Sequence, residues 1–99
     1  MERRLTDSIS LLLAKFPEYR KALQLALVKE ESNNPWSYQG WRWPDVEIHP
    51  TKLMRLVIEG IARISVRSRM GTYYLLKEPS IVKKVLRNTQ SDPVRGITG

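Results

Sequence analysis

Apolar residues in the first third of the chain recur with the period of an α-helix. Four of them are spaced i, i+3, i+4 and i+7 along one side of a first helix: Ile9, Leu12, Leu13 and Phe16. Pro17 ends this helix and suits the first turn of a second one, which extends to about Glu31. Ser, Asn and Pro residues then stop the second helix. The pattern therefore predicts two consecutive helices with a sharp break between them.

The helical period returns after Pro50 and predicts a helix over about residues 50–60. Its apolar side is formed by three residues: Leu53, Leu56 and Val57. Gly60 marks its end, because the residue after a helix often needs a positive φ. A later apolar stripe predicts a last helix over residues 78–88.

The period changes to that of a strand directly after Gly60. The alternation predicts an apolar face, Ala62, Ile64 and Val66, and a polar face, Arg63, Ser65 and Arg67. Residues 68–71 predict a turn with Arg69 at its tip and Gly71 as the permissive residue. Residues 72–76, which are rich in β-formers, return as a second strand. The result is an antiparallel hairpin whose polar face carries no acid.

The segment between the second predicted helix and the helix over about residues 50–60 has no regular period. It reads WSYQGWRWPDVEIHP, residues 36–50. It predicts an irregular loop with short extended pieces. Burying a tryptophan is the largest apolar gain open to a small domain, so we expect at least two of the three to cover the core. Trp41 and Trp43 share a face in an extended piece, which leaves Trp36 as the freest of the three.

Together these elements predict a mainly α fold with a small β-hairpin (α+β), built from three to four helices and two strands. The length of 99 residues fits one domain. The core pattern ends near residue 88, so we predict a domain over residues 1–88 and a flexible tail or linker over residues 89–99.

The charge is distributed unevenly along the chain. The formal net charge is +7, yet residues 1–49 hold seven basic and seven acidic side chains. Residues 50–99 hold ten Lys and Arg against three Asp and Glu. A basic excess confined to one half favours a polyanionic partner, usually a nucleic acid, although many small proteins are basic without one.

The composition argues against disulfide-bonded, zinc-thiolate and membrane proteins. The chain has no cysteine, which removes disulfides and thiolate zinc sites and fits a cytoplasmic, nucleoid or nuclear protein. It has no apolar run that would span a bilayer and no signal-peptide pattern, so we expect no membrane partner. No cofactor is expected.

Residues 50–77 resemble the second half of a winged helix-turn-helix domain. The recognition helix of that superfamily ends in an L-x-x-L-x-x-x-G-[IL] pattern, here Leu53, Leu56, Gly60 and Ile61. A two-stranded wing follows, with a basic tip that contains glycine and a Y-x-L second strand, here Arg67, Arg69, Gly71 and Tyr73 to Leu76. In a typical member a short helix precedes the recognition helix, and the Trp-rich loop occupies that place here.

The resemblance implies a nucleic-acid-binding module that favours duplex DNA. The helix over about residues 50–60 would read the major groove with Thr51, Lys52 and Arg55, and the wing over about residues 61–76 would contact phosphates. The expected wing contacts are Arg63, Arg67 and Arg69. A small module of this kind is an expected component of a larger helicase, ATPase or regulator.

The Trp-rich loop offers two alternatives to duplex binding. Trp36, Tyr38 and Arg42 would suit a contact with a protein partner, which makes the chain a docking module. The same residue types stack exposed bases, so a sequence-tolerant binder of single-stranded DNA or RNA is the other alternative.

The residues offer little support for a metal site or a catalytic site. Asp45, Glu47 and His49 would share one face of a strand, but one His and two carboxylates make a minimal ligand set, and we favour a solvent face. The lone His has no Cys partner, and no Gly-rich phosphate loop is present. The sequence therefore predicts a protein that is not an enzyme and holds no metal.

Overall fold

A computed structural model describes the backbone of residues 2–34 and 36–98 and the side chains of residues 4–34 and 36–88. The elements follow in this order: α1 (Glu2–Lys15), α2 (Glu18–Glu31), α3 (Trp43–Val46), α4 (Pro50–Ile58), β1 (Ala62–Ser68), β2 (Gly71–Leu76) and α5 (Pro79–Thr98). The predicted mainly helical α+β class is confirmed. Helices followed by a two-stranded antiparallel hairpin and a C-terminal helix are also loosely compatible with a winged-helix-like topology.

One core joins the helices to the base of the hairpin. Helices α1, α2 and α5 contact one another, while α4 contacts β1 and α2 contacts β2. The largest fully buried side chains come from all five helices, from the Trp-rich segment and from the residue before β1: Ile9, Leu23, Trp41, Val46, Leu53, Leu56, Ile61 and Val82. The Tyr19 hydroxyl donates to the Lys52 carbonyl at 2.8 Å, which ties α2 to α4.

Helix α4 begins and ends as its sequence predicts. His49 caps its first turn by accepting the Thr51 N–H. Pro50 has no N–H and suits the first helical position, where an N–H would have no partner within the helix. Gly60 follows the C-cap Glu59 and adopts φ +77°. Helix α5 continues to Thr98, beyond the end near residue 88 that the apolar stripe predicts. The division into a domain over residues 1–88 and a tail or linker over residues 89–99 stays a prediction.

The hairpin has the predicted strands and turn but not the predicted faces. Ile64 pairs with Tyr74 and Val66 with Tyr73, so the register shifts and Ser65 becomes the extra residue of a β-bulge. Tyr73 and Tyr74 point to opposite faces of β2, and therefore Ile64 and Val66 do as well. The single apolar face predicted for Ala62, Ile64 and Val66 is wrong beyond the bulge.

The bulge also separates the arginines. Arg63 pairs with Leu75 and Arg67 with Thr72, and these two partners lie on opposite faces because they are three residues apart. The shared polar face predicted for Arg63 and Arg67 is therefore wrong. We call the side of the sheet away from the helices the open face; it carries Arg63, Val66, Tyr73 and Leu75.

The Trp-rich segment contributes a third, single-residue strand position. Trp41 and Tyr74 exchange backbone hydrogen bonds of 2.8 and 2.9 Å, and their rings stack with centroids 5.5 Å apart. The Glu30 carboxylate accepts from the Trp41 indole at 2.7 Å and from the Leu76 N–H at 2.8 Å. This carboxylate therefore fastens α2 to both extended pieces.

Only one of the three tryptophans is buried. Trp41 is fully buried, Trp43 is half-exposed at the start of α3, and Trp36 is 94% exposed. The expectation that at least two would cover the core is wrong, whereas the expectation that Trp36 is the freest is confirmed. Among the described residues, no helix is both long and apolar enough to cross a bilayer.

Candidate nucleic-acid interface

The predicted reading residues of α4 all have partners within the protein. The Thr51 hydroxyl lies 2.7 Å from His49 Nδ1, and the Thr51 N–H donates to the same nitrogen at 3.2 Å. Lys52 Nζ lies 3.0 Å from Glu18 Oε2. A hydrogen bond from its own backbone N–H, followed by the one from Lys52, lowers the pKa of the Glu18 carboxyl. This acid therefore stays charged beside Lys52 at neutral pH.

Arg55 is held between two neighbours. Its Nε lies 3.8 Å from the Glu59 carboxylate, one turn further along α4. Its guanidinium also lies over the Phe16 ring, 5.2 Å from the centroid, which is within the range of a cation–π contact. Lys52 and Arg55 thus each face an acid before any ligand arrives.

The rest of the exposed side of α4 is apolar. Met54 is 42% exposed and Ile58 is 76% exposed. Methionine and isoleucine offer contacts to thymine methyl groups or to a protein but no hydrogen bond to a base edge. The polar reading surface of this helix is consequently small.

The hairpin arginines differ from those of α4. Arg63, Arg67 and Arg69 are exposed and form no ion pair or side-chain hydrogen bond with any residue whose side chain the structure describes. Residues 61–76 contain no Asp or Glu. Arg67 and Arg69 lie near the tip, and Arg63 lies nearer the base on the open face. Three cations are therefore available to an anion, two of them close to the end of the hairpin.

The tip itself is held in place by Arg42. This side chain donates from its Nη1 to the Met70 carbonyl at 2.9 Å and lies over the Tyr73 ring at 5.9 Å from the centroid. Ser68 adds a bond from its hydroxyl to the Gly71 carbonyl and accepts the Met70 N–H, both at 3.2 Å. Met70 is 74% exposed beyond these contacts. Arg42, predicted as a stacking or partner residue, first of all positions the tip.

Tyr38 lies at the other end of the open face. It lines a shallow cavity of about 190 Å³ together with Glu30, Arg63, Leu75 and Leu76. Burial raises the pKa of the Tyr38 hydroxyl to about 12, with smaller contributions from Asp45 and Glu30. The hydroxyl is thus a neutral donor at physiological pH. Trp36, the third predicted loop contact, is exposed in the turn before Tyr38. Its backbone N–H donates to the side-chain oxygen of Asn34.

Asp45, Glu47 and His49 do not share a strand face. Asp45 lies in α3 and accepts the Arg42 N–H at 3.0 Å. Glu47 is in the left-handed region at φ 56° and pairs with Lys21 at 3.0 Å, and His49 caps α4. The predicted strand over these residues is wrong. Within the described part of the chain no group of three such side chains could hold a metal ion.

Comparison with known proteins gives no relative: no family model, no curated protein and no solved structure matches this chain. The interface is therefore defined by its own geometry. Sequence reasoning found the arginines but missed the ion pairs of α4, the position of Arg42 and the bulge. The only local sign of the Arg55 pair was the acid four residues later; the Glu18 pair joins residues 34 apart and has none.

Proposed function

We propose that this chain is a winged-helix-like nucleic-acid-binding domain that grips the phosphates of duplex DNA with its hairpin. The observation that carries the proposal is a set of three exposed arginines on an acid-free hairpin that make no ion pair with any residue whose side chain the structure describes: Arg63, Arg67 and Arg69. An arginine near phosphate gains free energy by releasing condensed counterions, and this gain is greatest when no internal acid competes.

Helix α4 has a secondary part in this proposal. Thr51, Lys52 and Arg55 stand in the first two turns, where a helix in the major groove reads base edges. Lys52 and Arg55 would first leave Glu18 and Glu59. Exposed ion pairs contribute only about 0–1 kcal/mol each, so breaking them does not prevent DNA binding. It does lower the net binding free energy that Lys52 and Arg55 contribute. We therefore assign affinity mainly to the hairpin and sequence preference to α4.

The test is a titration of a labelled mixed-sequence duplex at several salt concentrations. Arg67→Ala with Arg69→Ala should weaken binding to every sequence and reduce the slope of log K against log salt by about 1–2. The matched control is Lys15→Ala with Lys29→Ala, which removes the same charge from α1 and α2. If both double variants weaken binding and lower the salt slope equally, the hairpin arginines act only through the net charge of the protein, and the proposal is overturned.

A docking module is the second candidate, and the 94% exposure of Trp36 favours it. A large exposed aromatic side chain is typical of the centre of a protein contact. Such a contact would be insensitive to salt and would be lost in Trp36→Ala. Duplex binding that is salt-sensitive and unchanged in Trp36→Ala would remove this candidate as the account of DNA binding.

A further inference from the structure

The open face of the hairpin is distinct from the phosphate-contacting tip. In β2 the core side carries buried Tyr74 and Leu76, whereas the opposite side carries partly exposed Tyr73 and Leu75. The bulge at Ser65 adds Val66 to that second side, next to Tyr73. A partly apolar, partly exposed surface thus remains on the side away from the helices.

On this face the planar guanidinium of Arg42 lies over the ring of Tyr73. The Arg42 guanidinium is 5.9 Å from the centroid of the Tyr73 ring, and its bond to the Met70 carbonyl fixes its direction. Nucleic-acid bases stack on tyrosine rings and on guanidinium planes, and both groups are already ordered here. Little conformational entropy would be lost when a base binds.

The charges on the open face favour a nucleic acid as the ligand. Arg42 and Arg63 border it, and Arg63 is exposed and makes no ion pair with a described residue. Two acids lie at its border: Asp45, which accepts the Arg42 backbone N–H at 3.0 Å, and Glu30, which lines the cavity beside Arg63. The Glu30 Oε2 already accepts two hydrogen bonds. An unpaired nucleotide would find stacking planes and a cation for its phosphate.

We propose that the open face binds an unpaired base, with Tyr73 and Arg42 as the stacking groups and Arg63 as the phosphate contact. The inference rests on the proposed function and refines it: Arg67 and Arg69 at the neighbouring tip would hold the duplex, and Arg63, nearer the base, would contact the strand that leaves it. The substrate class is then a DNA that contains a junction between duplex and single strand. A blunt duplex would use only part of the surface.

The test compares a blunt duplex with the same duplex carrying a single-stranded extension. Wild type should bind the extended DNA about tenfold more tightly, since one stacked base contributes a factor of this order. Tyr73→Leu should lose most of that advantage, while Tyr73→Phe, which keeps the ring, should retain it. Because Arg42 lies over the Tyr73 ring and also positions the tip, each variant is judged by the ratio of its affinity for the extended DNA to its affinity for the blunt duplex. An advantage of equal size in both variants overturns the inference.

A second measurement does not depend on how a variant folds. An extension that carries 5-iodouracil is irradiated with the wild-type protein, and the crosslinked peptide is identified. A crosslink at Tyr73 supports the inference, and one confined to Trp36 or to the tip contradicts it. The Arg67→Ala, Arg69→Ala protein separates the two proposals. If it binds blunt and extended DNA as wild type does, the hairpin grip is wrong, whatever Tyr73 does.

Discussion

Helix α4 and the hairpin each carry three residues that the sequence nominates for DNA, and the structure treats the two sets differently. Lys52 and Arg55 each face a carboxylate, at 3.0 and 3.8 Å. The hairpin arginines face none among the described residues. The reason lies in position: α4 packs beside the start of α2, which supplies Glu18, whereas the hairpin extends from the core in a stretch without acids. The number of cations in a sequence therefore does not give the number available to a ligand.

The two regions also differ in how they are attached to the core. Leu53 and Leu56 anchor α4 by burial along its length. The hairpin is anchored at its base, through Trp41, Tyr74 and the Glu30 carboxylate, and at its tip through Arg42. A change at one of these few contacts should loosen the hairpin and leave α4 in place.

The largest expected effect follows from removing the carboxylate at the base of the hairpin. Glu30→Ala should lower the free energy of unfolding by about 2–3 kcal/mol, because it leaves the buried Trp41 indole and the Leu76 N–H without an acceptor. Glu31→Ala is the neighbouring control and breaks only the exposed pair with Lys83, so it should cost under about 1 kcal/mol. Chemical denaturation measures both. Equal losses would show that Glu30 does not fasten the hairpin.

A smaller effect is expected when α4 loses its cations. Lys52→Ala with Arg55→Ala should weaken duplex binding by only about threefold, since two competing carboxylates already offset these charges. The same change should alter the ranking of duplex sequences, which a competition series measures. A uniform loss across all sequences would limit α4 to phosphate contacts, and a loss larger than that of the hairpin variant would reverse the comparison.

Removing the acids that pair with Lys52 and Arg55 should bring the contribution of α4 to duplex affinity closer to that of the hairpin. Glu18→Gln with Glu59→Gln should raise duplex affinity at low salt by about twofold more than a control with the same added charge. The control, Glu31→Gln with Glu47→Gln, frees Lys83 and Lys21 instead. Titration of all three proteins with one duplex gives the comparison. No difference between the two variants would mean that the α4 pairs do not compete with DNA.

The smallest effect concerns the titration of Glu18. Its pKa in the folded protein is lowered from 4.5, so the stabilisation from its hydrogen bonds is present above that value and is lost as the pH falls through the lowered pKa. Carboxyl NMR should give a midpoint below 4.5 for Glu18. Lys52→Ala should raise that midpoint only in part, because the backbone N–H is the larger cause. An unshifted midpoint in the wild type would show that the pair does not persist in solution.

Much of the fold could be predicted because it depends on local patterns. The helix end at Gly60 and the turn at Gly71 follow from backbone conformations, φ +77° and +132°, that favour glycine. The bulge could not be predicted, because period-two alternation has no signal for one extra residue. Its effect is large: a one-residue shift moves Val66 and Arg67 to opposite faces from those expected.

The site was less predictable than the fold because its properties depend on distant neighbours. The Trp41 environment is set by Tyr74 and Glu30, and the Arg42 environment by the hairpin tip 28 residues away. The local sequence of the Trp-rich loop sets Trp36 apart, but it does not separate buried Trp41 from half-exposed Trp43. Residue type identified the cations and aromatics, and only the tertiary structure separates those with partners from those without.

The most direct test compares the salt dependence of duplex binding for the wild type and the two double variants. We expect Arg67→Ala with Arg69→Ala to lower the slope of log K against log salt by about 1–2, and Lys52→Ala with Arg55→Ala to lower it by less than about 1. A slope that falls more in the α4 variant than in the hairpin variant would contradict the claim that the hairpin holds the DNA.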